Sequence, residues 1–411
     1  MTNVGRWTAI AAGIVILIGA GRAVGQDWPQ WRGPNRDGKT TGFVPPQSWP
    51  KELTRKWNVP VGLGDSTPAL VGDKLFTFGR QGAYEVIRCL DVADGRELWK
   101  EIYPAEMIAE GPSAQHPGPR SSPIVVDGKV CTLGLGAILS CLDAASGKVL
   151  WRKQSAADYL DTPCRFESSM SPIAVDGMCI VHVGDGEKGA IVAFDLTDGA
   201  AKWRFTGDAP APSSPVLMTA DGVRQLVTIT DKQIIGVSLA DRSLLWQVPF
   251  KARPVNSTTP IVAGQTVIVT GWEVGTLAIK IAGQGGKFTA EQVWANTNVL
   301  AGGAFSTPVL RDGLLFGYAN AKFVCLSAET GQVLWADKMA HGHTAAIVDA
   351  GSCLMALALN GDLCVYEPTD KQYMQLARYK MGEPEFWAHP IVAGKRIFIR
   401  DKDSVTLWTL E

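Results

Sequence analysis

Ser121-Ser122-Pro123-Ile124-Val125-Val126-Asp127-Gly128 is the stretch that decides the fold, because versions of it return along the whole chain. An earlier copy is Ser66-Thr67-Pro68-Ala69-Leu70-Val71-Gly72-Asp73. Later copies begin at Pro172, Pro215, Pro260, Pro308, Ala346 and Pro390. Successive copies lie between 38 residues (308 to 346) and 55 residues (68 to 123) apart, a period typical of propeller blades or solenoid rungs. The chain therefore contains eight units.

Each unit carries the signals of four strands. An apolar strand follows the proline, then an Asp-Gly type of turn, then a β-branched run such as Thr266-Val267-Ile268-Val269. A third strand resembles Ala190-Ile191-Val192-Ala193-Phe194, and a fourth begins at a tryptophan. The sequence thus predicts an all-β fold, an eight-bladed β-propeller of four-stranded antiparallel blades.

A tryptophan recurs in the fourth strand at a fixed distance from the preceding turn. Asp94-Gly95 and Ser146-Gly147 are examples of that turn. We expect the indoles to fill the wedges between neighbouring blades, since identical positions around a ring cannot all face one ligand. These structural tryptophans are Trp57, Trp99, Trp151, Trp203, Trp246, Trp294 and Trp335, with Tyr379 in the seventh blade.

The two ends of the repeat region complement each other. The last copy has three strands, and Lys56-Trp57-Asn58-Val59 precedes the first copy without a blade of its own. Pairing this N-terminal strand with the C-terminal strands predicts a closed ring over residues 53–411, without a free sheet edge.

The first residues have the pattern of an export signal. Residues 1–25 combine Arg6, the apolar run Thr8 to Gly21 and the small residues Ala23-Val24-Gly25. We expect cleavage, no stable membrane insertion, and a monomer that is periplasmic or secreted. Residues 26–52 form an N-terminal extension with the segment Trp28-Pro29-Gln30-Trp31-Arg32-Gly33-Pro34.

The composition limits the classes of function. The 39 Lys and Arg against 40 Asp and Glu give no basic surface, so no nucleic-acid partner is expected. No Walker loop, GxSxG elbow, HExxH motif or EF-hand loop occurs in the mature chain. The eight cysteines are scattered, and only Cys131 and Cys141 would face each other across a hairpin, so a disulfide between them stays open.

The pattern Cys-Leu-Asp-x-x-Ser/Thr-Gly-x-x-x-Trp resembles the repeat of PQQ-type propellers. It is clearest at Cys141 to Trp151 and at Cys325 to Trp335, where Ser327 replaces Asp. That family includes quinoprotein alcohol dehydrogenases and the outer-membrane assembly factor BamB. The segment Asp27 to Gly38 is similar to the opening of exported PQQ-like propellers of planctomycete-type bacteria.

The resemblance implies one of two functions. Quinoprotein dehydrogenases hold PQQ and calcium near the ring axis under a disulfide of adjacent cysteines, whereas BamB-like members use the ring as a docking surface. This chain has no adjacent cysteines and no haem-attachment motif. The sequence therefore favours a non-catalytic binding or scaffolding module for a protein partner or small ligand. A minimal PQQ-dependent oxidoreductase, with PQQ and calcium as cofactors, and a glycan-recognising module are the alternatives.

Candidate binding residues lie in the loops that lead to the inner strands and in loops on the same face, around the channel mouth. The candidates are Arg120, Glu167, Arg253, Asn256, Trp272, His343, Trp387 and His389. A mixed-charge pocket for a small ligand would use such residues, although solvated loops have the same composition. Trp272 is expected to anchor a partner, because an indole at a loop tip often does so. No catalytic residue is assigned.

The histidines suggest no metal site. His341 and His343 could place two imidazoles near one ion, but no acidic or cysteine ligand follows at a recognised spacing. His182 lies in an apolar strand and is expected to be an interior residue.

Overall fold

Eight four-stranded antiparallel sheets form the protein, as the repeat predicts. The computed structural model describes residues 27–106, 112–154, 169–185, 188–253, 255–298, 303 and 305–411. Residues 1–26, which include the predicted export signal, lie outside the described residues. A four-residue helix, α1 (Pro112–Gln115), and a 3-10 turn at Leu135–Ala137 interrupt the strands.

The strands follow the chain order within each blade. Blade 1 has β2 (Ala69–Val71), β3 (Lys74–Gln81), β4 (Tyr84–Asp91) and β5 (Glu97–Pro104). Blade 2 has β6 (Ile124–Val126), β7 (Lys129–Leu133), β8 (Leu139–Asp143) and β9 (Val149–Lys153). Blade 3 has β10 (Ile173–Val175), β11 (Met178–Asp185), β12 (Lys188–Asp195) and β13 (Ala201–Gly207). Blade 4 has β14 (Val216–Ala220), β15 (Val223–Ile229), β16 (Gln233–Ser238) and β17 (Leu244–Pro249).

The second half repeats this order. Blade 5 has β18 (Ile261–Ala263), β19 (Thr266–Gly271), β20 (Gly275–Gln284) and β21 (Lys287–Asn296). Blade 6 has β22 (Val309–Arg311), β23 (Leu314–Ala319), β24 (Lys322–Ser327) and β25 (Val333–Ala336). Blade 7 has β26 (Ala345–Asp349), β27 (Leu354–Ala358), β28 (Asp362–Tyr366) and β29 (Gln375–Lys380). Blade 8 has β30 (Ile391–Ala393), β31 (Arg396–Arg400) and β32 (Ser404–Thr409), completed by β1 (Thr54–Pro60).

The ring closes in blade 8. Strand β1 pairs antiparallel with β32, with Trp57 opposite Leu407 and Val59 opposite Val405. The predicted closure by the N-terminal and C-terminal strands is therefore confirmed, and it gives β32 a hydrogen-bonded neighbour on both sides.

The recurrent tryptophans lie between blades. Trp151 of blade 2 is 8% exposed, and its Nε1–H donates to Leu196 O of blade 3 at 3.2 Å. Its ring covers Gly199 in the turn of blade 3, where a Cβ would approach the indole to 2.6 Å. The turn therefore needs glycine both for its positive φ of 71° and for this contact. Trp57, Trp99, Trp294 and Trp335 donate to a carbonyl of the next blade in the same way.

The residue before each inner-strand proline ties neighbouring blades together. Thr67 N–H donates to Ser122 Oγ at 3.1 Å, Ser122 N–H to Ser171 Oγ at 3.0 Å, and Ser171 N–H to Ser214 Oγ at 3.0 Å. His389 N–H donates to Thr67 Oγ1 at 2.9 Å, which carries the belt across the closure. The recurring Ser/Thr-Pro dipeptide is thus explained by a belt of hydroxyl groups around the channel.

The N-terminal extension crosses the central channel. Residues 27–40, the plug segment, contact inner strands on different sides of the ring. Trp28 exchanges two backbone hydrogen bonds with Leu70 of blade 1, and Pro29 O accepts from Val125 N of blade 2. Thr40 N–H donates to Asp349 O of blade 7, and its hydroxyl donates to Val392 O of blade 8. The plug segment therefore braces the ring from inside.

Cys131 and Cys141 occupy opposite positions in β7 and β8, as the hairpin geometry predicts. Both are free thiols in the structure and both are buried. Hydrogen-bonding contacts with the thiols of Cys141 and Cys179, followed by burial, raise the pKa of Cys131.

Candidate functional site

An axial pocket of about 370 Å³ opens at one mouth of the channel. Residues that lead into the inner strands of blades 1, 2, 3, 4, 5, 6 and 8 line it, together with one residue of the plug segment. Its named side chains are Trp31, Asp65, His116, Arg120, Phe305 and Trp387, and its hydroxyl groups belong to Ser169, Ser171, Ser214, Ser257 and Thr307. The volume falls within the range of small-molecule sites, roughly 300–1,000 Å³.

Trp31 forms the floor of this pocket. Its Nε1–H donates to Thr259 Oγ1 at 2.8 Å, and its ring meets the imidazole of His389 edge-on at 4.6 Å between centroids. His389 is buried, and its pKa lies well below the usual 6.5. Burial is the main cause, and the positive charge of Arg32 adds to it. The floor is therefore an aromatic surface supported by a neutral imidazole.

Trp387 and Phe305 form an aromatic wall. The two rings are perpendicular, with centroids 5.7 Å apart. On its other side Trp387 meets the ring of His116 at 5.3 Å, also edge-on. Aromatic surfaces in the floor and one wall suit a ligand with a flat apolar ring.

The polar wall carries a paired histidine and aspartate and one guanidinium. His116 Nδ1 lies 2.9 Å from Asp65 Oδ2. Arg120 donates from Nη2 to His116 O at 2.9 Å. The Asp65 carboxylate is thus engaged by His116, while Arg120 brings positive charge to the lining.

Two buried guanidinium groups lie beneath the floor. Arg32 is 0% exposed and donates to Thr307 O at 3.1 Å and Pro308 O at 2.8 Å. Arg36 is 4% exposed and donates to Ser171 O at 3.1 Å and Pro172 O at 2.9 Å. The hydrogen bonds of both groups with described residues go to uncharged acceptors.

Burial lowers the pKa of both guanidiniums. The pKa of Arg32 falls to about 10, with Asp37 acting in the opposite direction, and that of Arg36 falls to about 9, with Arg32 adding to the effect. Both remain cations at neutral pH. Because they bond to carbonyls of residues that line the pocket, they bring two positive charges close to its base.

The structure brings together two of the sequence candidates. Arg120 and Trp387 both line the axial pocket. His389 lies below the floor and does not reach the pocket surface. Asn256 was expected at the mouth but is 4% exposed, since its amide braces a loop through Ala252 N at 2.7 Å and Thr230 O at 2.8 Å.

The remaining candidates lie elsewhere. Arg253 has a side chain that is 82% exposed and lies 3.9 Å from Glu273, outside the axial pocket. Trp272 and His343 line a separate side pocket between blades 5, 6 and 7. Glu167 lies outside the described residues.

Sequence reasoning missed the floor and the hydroxyl groups of the pocket. Trp31 belongs to a segment without periodicity, so no repeat pattern points to its position. The hydroxyls of Ser171, Ser214 and Thr307 had a signal in the sequence, because a Ser or Thr precedes proline in most copies.

The two histidines of the His-Gly-His segment point apart. His341 is buried against Asp337 and lies 3.9 Å from Cys364 Sγ, whereas His343 is exposed. In the described part of the chain no three His, Cys, Asp or Glu side chains form a group that could hold a metal ion. His182 is 6% exposed, its Nε2–H donates to Asp208 O at 3.0 Å, and burial lowers its pKa to about 4.

The sequence profile of the family described as outer membrane protein assembly factor BamB matches residues 83–337. The chain belongs to this family. BamB of Yersinia pestis is 22% identical over 343 residues, covering 79% of this chain and 72% of that protein. The quinohemoprotein alcohol dehydrogenase ADH-IIG of Pseudomonas putida is 27% identical over 170 residues, covering 39% of this chain and 23% of that enzyme.

Solved structures of both kinds share the fold of this BamB-type chain. The quinohemoprotein alcohol dehydrogenase of Comamonas testosteroni has a TM-score of 0.67 at 14% identity, covering 95% of this chain and 81% of the other. BamB of Moraxella catarrhalis has a TM-score of 0.61 at 14% identity, covering 87% of this chain and 97% of the other. The fold is therefore common to an assembly factor and to enzymes, so a function for this chain must be argued from its site.

PQQ with calcium is the cofactor pair expected for the oxidoreductase alternative, and the described lining does not provide the ligands of such a calcium ion. Calcium takes roughly six to eight oxygen ligands, usually with several carboxylates. Asp65 is the carboxylate among the described lining residues, and it lies against His116. The donor set around the pocket therefore does not fit a calcium ion beside a quinone.

No helix in the described residues is long and apolar enough to cross a membrane.

Proposed function

We propose that the protein is a non-catalytic binding module, whose axial pocket captures a small anion with a flat aromatic ring. The observation that carries this proposal is the combination of an aromatic floor and wall with positive charge at the base. Trp31 and Trp387 offer ring faces and edges, while Arg120 offers a guanidinium that can bond an anion.

The buried guanidiniums support an anionic ligand in particular. Arg32 and Arg36 bond to backbone carbonyls, and among the described residues no carboxylate is hydrogen-bonded to either guanidinium. A low-dielectric surrounding strengthens their attraction for an anion above them. An uncharged ligand of the same shape would gain nothing from these groups.

A binding role is also consistent with the family. The Yersinia pestis relative is an outer membrane protein assembly factor, and the matches to dehydrogenases span about a quarter of those enzymes. We infer that this chain acts after export, in the periplasm or outside the cell. We also infer that a protein partner binds the chain when the axial pocket is occupied. Oxidoreductase activity is the competing function, since the dehydrogenases share the fold.

Two measurements test the proposal together. Native mass spectrometry of the full chain recovered after export, followed by acid extraction, should yield one small aromatic anion per chain. Addition of PQQ and calcium with an artificial electron acceptor should give no turnover of primary alcohols. Steady dye reduction would replace the binding function with the oxidoreductase function. Recovery of a cationic or aliphatic ligand would contradict the proposed chemistry of the pocket.

A further inference from the structure

A second pocket, of about 290 Å³, lies on the same face but away from the axis. We call it the side pocket. Its walls come from the loop of blade 5 at Trp272, the end of β23 with its following turn at Asn320, and the segment Gly342 to Thr344 that leads into blade 7. Three blades thus meet around it, and the axial pocket shares none of its lining residues.

The inner surface of the side pocket has its hydrogen-bonding groups already paired. Tyr318 Oη donates to Gly342 O at 2.8 Å. The hydroxyls of Ser306 and Thr344 bond to each other at 2.6 Å. These contacts fix the walls, and they leave few polar groups there for a ligand.

The rim of the side pocket carries polar side chains that have no hydrogen-bond partner among the described residues. The indole of Trp272, the amide of Asn320 and the imidazole of His343 make no side-chain hydrogen bond or ion pair with another described residue. Trp272 is 48% exposed, whereas Trp151 between blades is 8% exposed. An exposed indole beside a fixed concave surface is a feature of recognition surfaces.

The side pocket differs from the axial pocket in charge. Its described lining contains no Lys, Arg, Asp or Glu. An anion or a cation would therefore lose its hydration without gaining an ion pair. The side pocket favours a neutral ligand with both an apolar face and hydroxyl groups.

We propose that the side pocket binds one sugar residue of a neutral glycan. A pyranose ring presents a flat face of C–H groups, which can lie on the Trp272 indole. Its hydroxyls both donate and accept hydrogen bonds, as do the amide of Asn320 and the ring nitrogens of His343. The pocket is open to one side, so the neighbouring sugar residues of the chain continue into solvent.

Saturation-transfer NMR with the full chain tests this assignment. The probes are cellohexaose, maltohexaose, mannohexaose and N-acetylchitohexaose, each at millimolar concentration. We expect saturable binding of at least one of them. Trp272→Ala should weaken that binding by about tenfold or more, and Trp272→Phe should keep part of it, because a phenyl ring retains a flat apolar face. His343→Ala should weaken it as well.

Trp387→Ala is the matched control, since it changes an indole of the axial pocket on the same face. It should bind the hexasaccharide like the wild type. A melting temperature of Trp272→Ala equal to that of the wild type would show that the loss of binding is not caused by unfolding. The proposal is overturned if no hexasaccharide binds, if Trp272→Ala binds like the wild type, or if Trp387→Ala loses binding to the same extent. Preference for polygalacturonate over the neutral probes would overturn it too.

Discussion

The indole of Trp31 meets the imidazole of His389 edge-on, with ring centroids 4.6 Å apart and ring planes at 68°. Trp31 belongs to the segment before the propeller, and His389 leads into its last blade. The contact therefore joins the plug segment to the last blade, directly under the axial pocket. The floor of that pocket depends on the plug segment staying in the channel.

The plug segment should contribute to stability through its buried guanidiniums. Arg32→Ala leaves the carbonyls of Thr307 and Pro308 without their donors and opens a cavity, so we expect a loss of about 3–5 kcal/mol in the free energy of unfolding. Urea unfolding measures this. Arg253→Ala, which truncates an exposed arginine, should stay within about 0.5 kcal/mol of the wild type. Equal midpoints for the two variants would show that the plug segment does not brace the ring.

Arg120 should set the affinity of the axial pocket for anions. Arg120→Gln keeps a hydrogen-bond donor and removes the charge, so indole-3-acetate should bind about tenfold more weakly, as expected when a charge-assisted bond is lost. Fluorescence titration provides the measurement. Arg253→Gln removes a positive charge from the same face outside the pocket and should leave the affinity unchanged. If both variants weaken binding equally, the effect is one of overall charge.

The tryptophans between blades should matter for folding and not for binding. Trp151→Ala removes an indole that is 8% exposed and bonded to blade 3, and it should cost about 3–5 kcal/mol. Trp272→Ala is the control, because its indole is half exposed and should cost little. Thermal unfolding of the two variants compares these positions. A melting temperature of Trp151→Ala equal to that of the wild type would remove the packing role.

Acidification should destabilise the protein through His182. Its folded pKa is about 4 because burial disfavours the charged ring, while an unfolded histidine titrates near 6.5. Between these values the unfolded chain binds a proton that the folded chain does not. The contribution of His182 to the free energy of unfolding is therefore fully present above pH 6.5. It falls as the pH is lowered toward 4, by up to roughly 3 kcal/mol.

His182→Gln isolates this effect, because glutamine retains an N–H donor for Asp208 O and does not titrate. Urea unfolding as a function of pH should give a smaller loss of stability in this variant between pH 6.5 and 4. An identical pH dependence in both proteins would mean that other groups cause the acid sensitivity.

The propeller could be predicted from sequence because its signals are local and repeated. The proline, the turn glycine and the tryptophan recur in most units, and closure could be predicted from one missing strand. The observed strand bounds differ little from the predicted ones. In blade 7, for example, the inner strand begins at Ala345 and not after Ala346. Repetition made each weak signal strong.

The candidate site was predictable only in part. Arg120 and Trp387 could be placed at the channel mouth because their loops precede inner strands. The plug segment could not, because Arg32 bonds to residues 275 and 276 positions away, and no local pattern records such contacts. Asn256 and His389 were misplaced for a different reason. The polar character of a loop residue does not show whether its side chain faces solvent or forms hydrogen bonds with buried backbone groups.

Calorimetric titration of the wild-type chain with matched pairs of probes tests the central claim most directly. The pairs are benzoate with benzyl alcohol and indole-3-acetate with indole-3-ethanol, which differ in charge and little in shape. The axial pocket described above should bind at least one carboxylate with one site per chain, and its alcohol about tenfold or more weakly. Equal affinity for acid and alcohol, or no heat of binding with either carboxylate, would contradict the assignment of an anion-binding pocket.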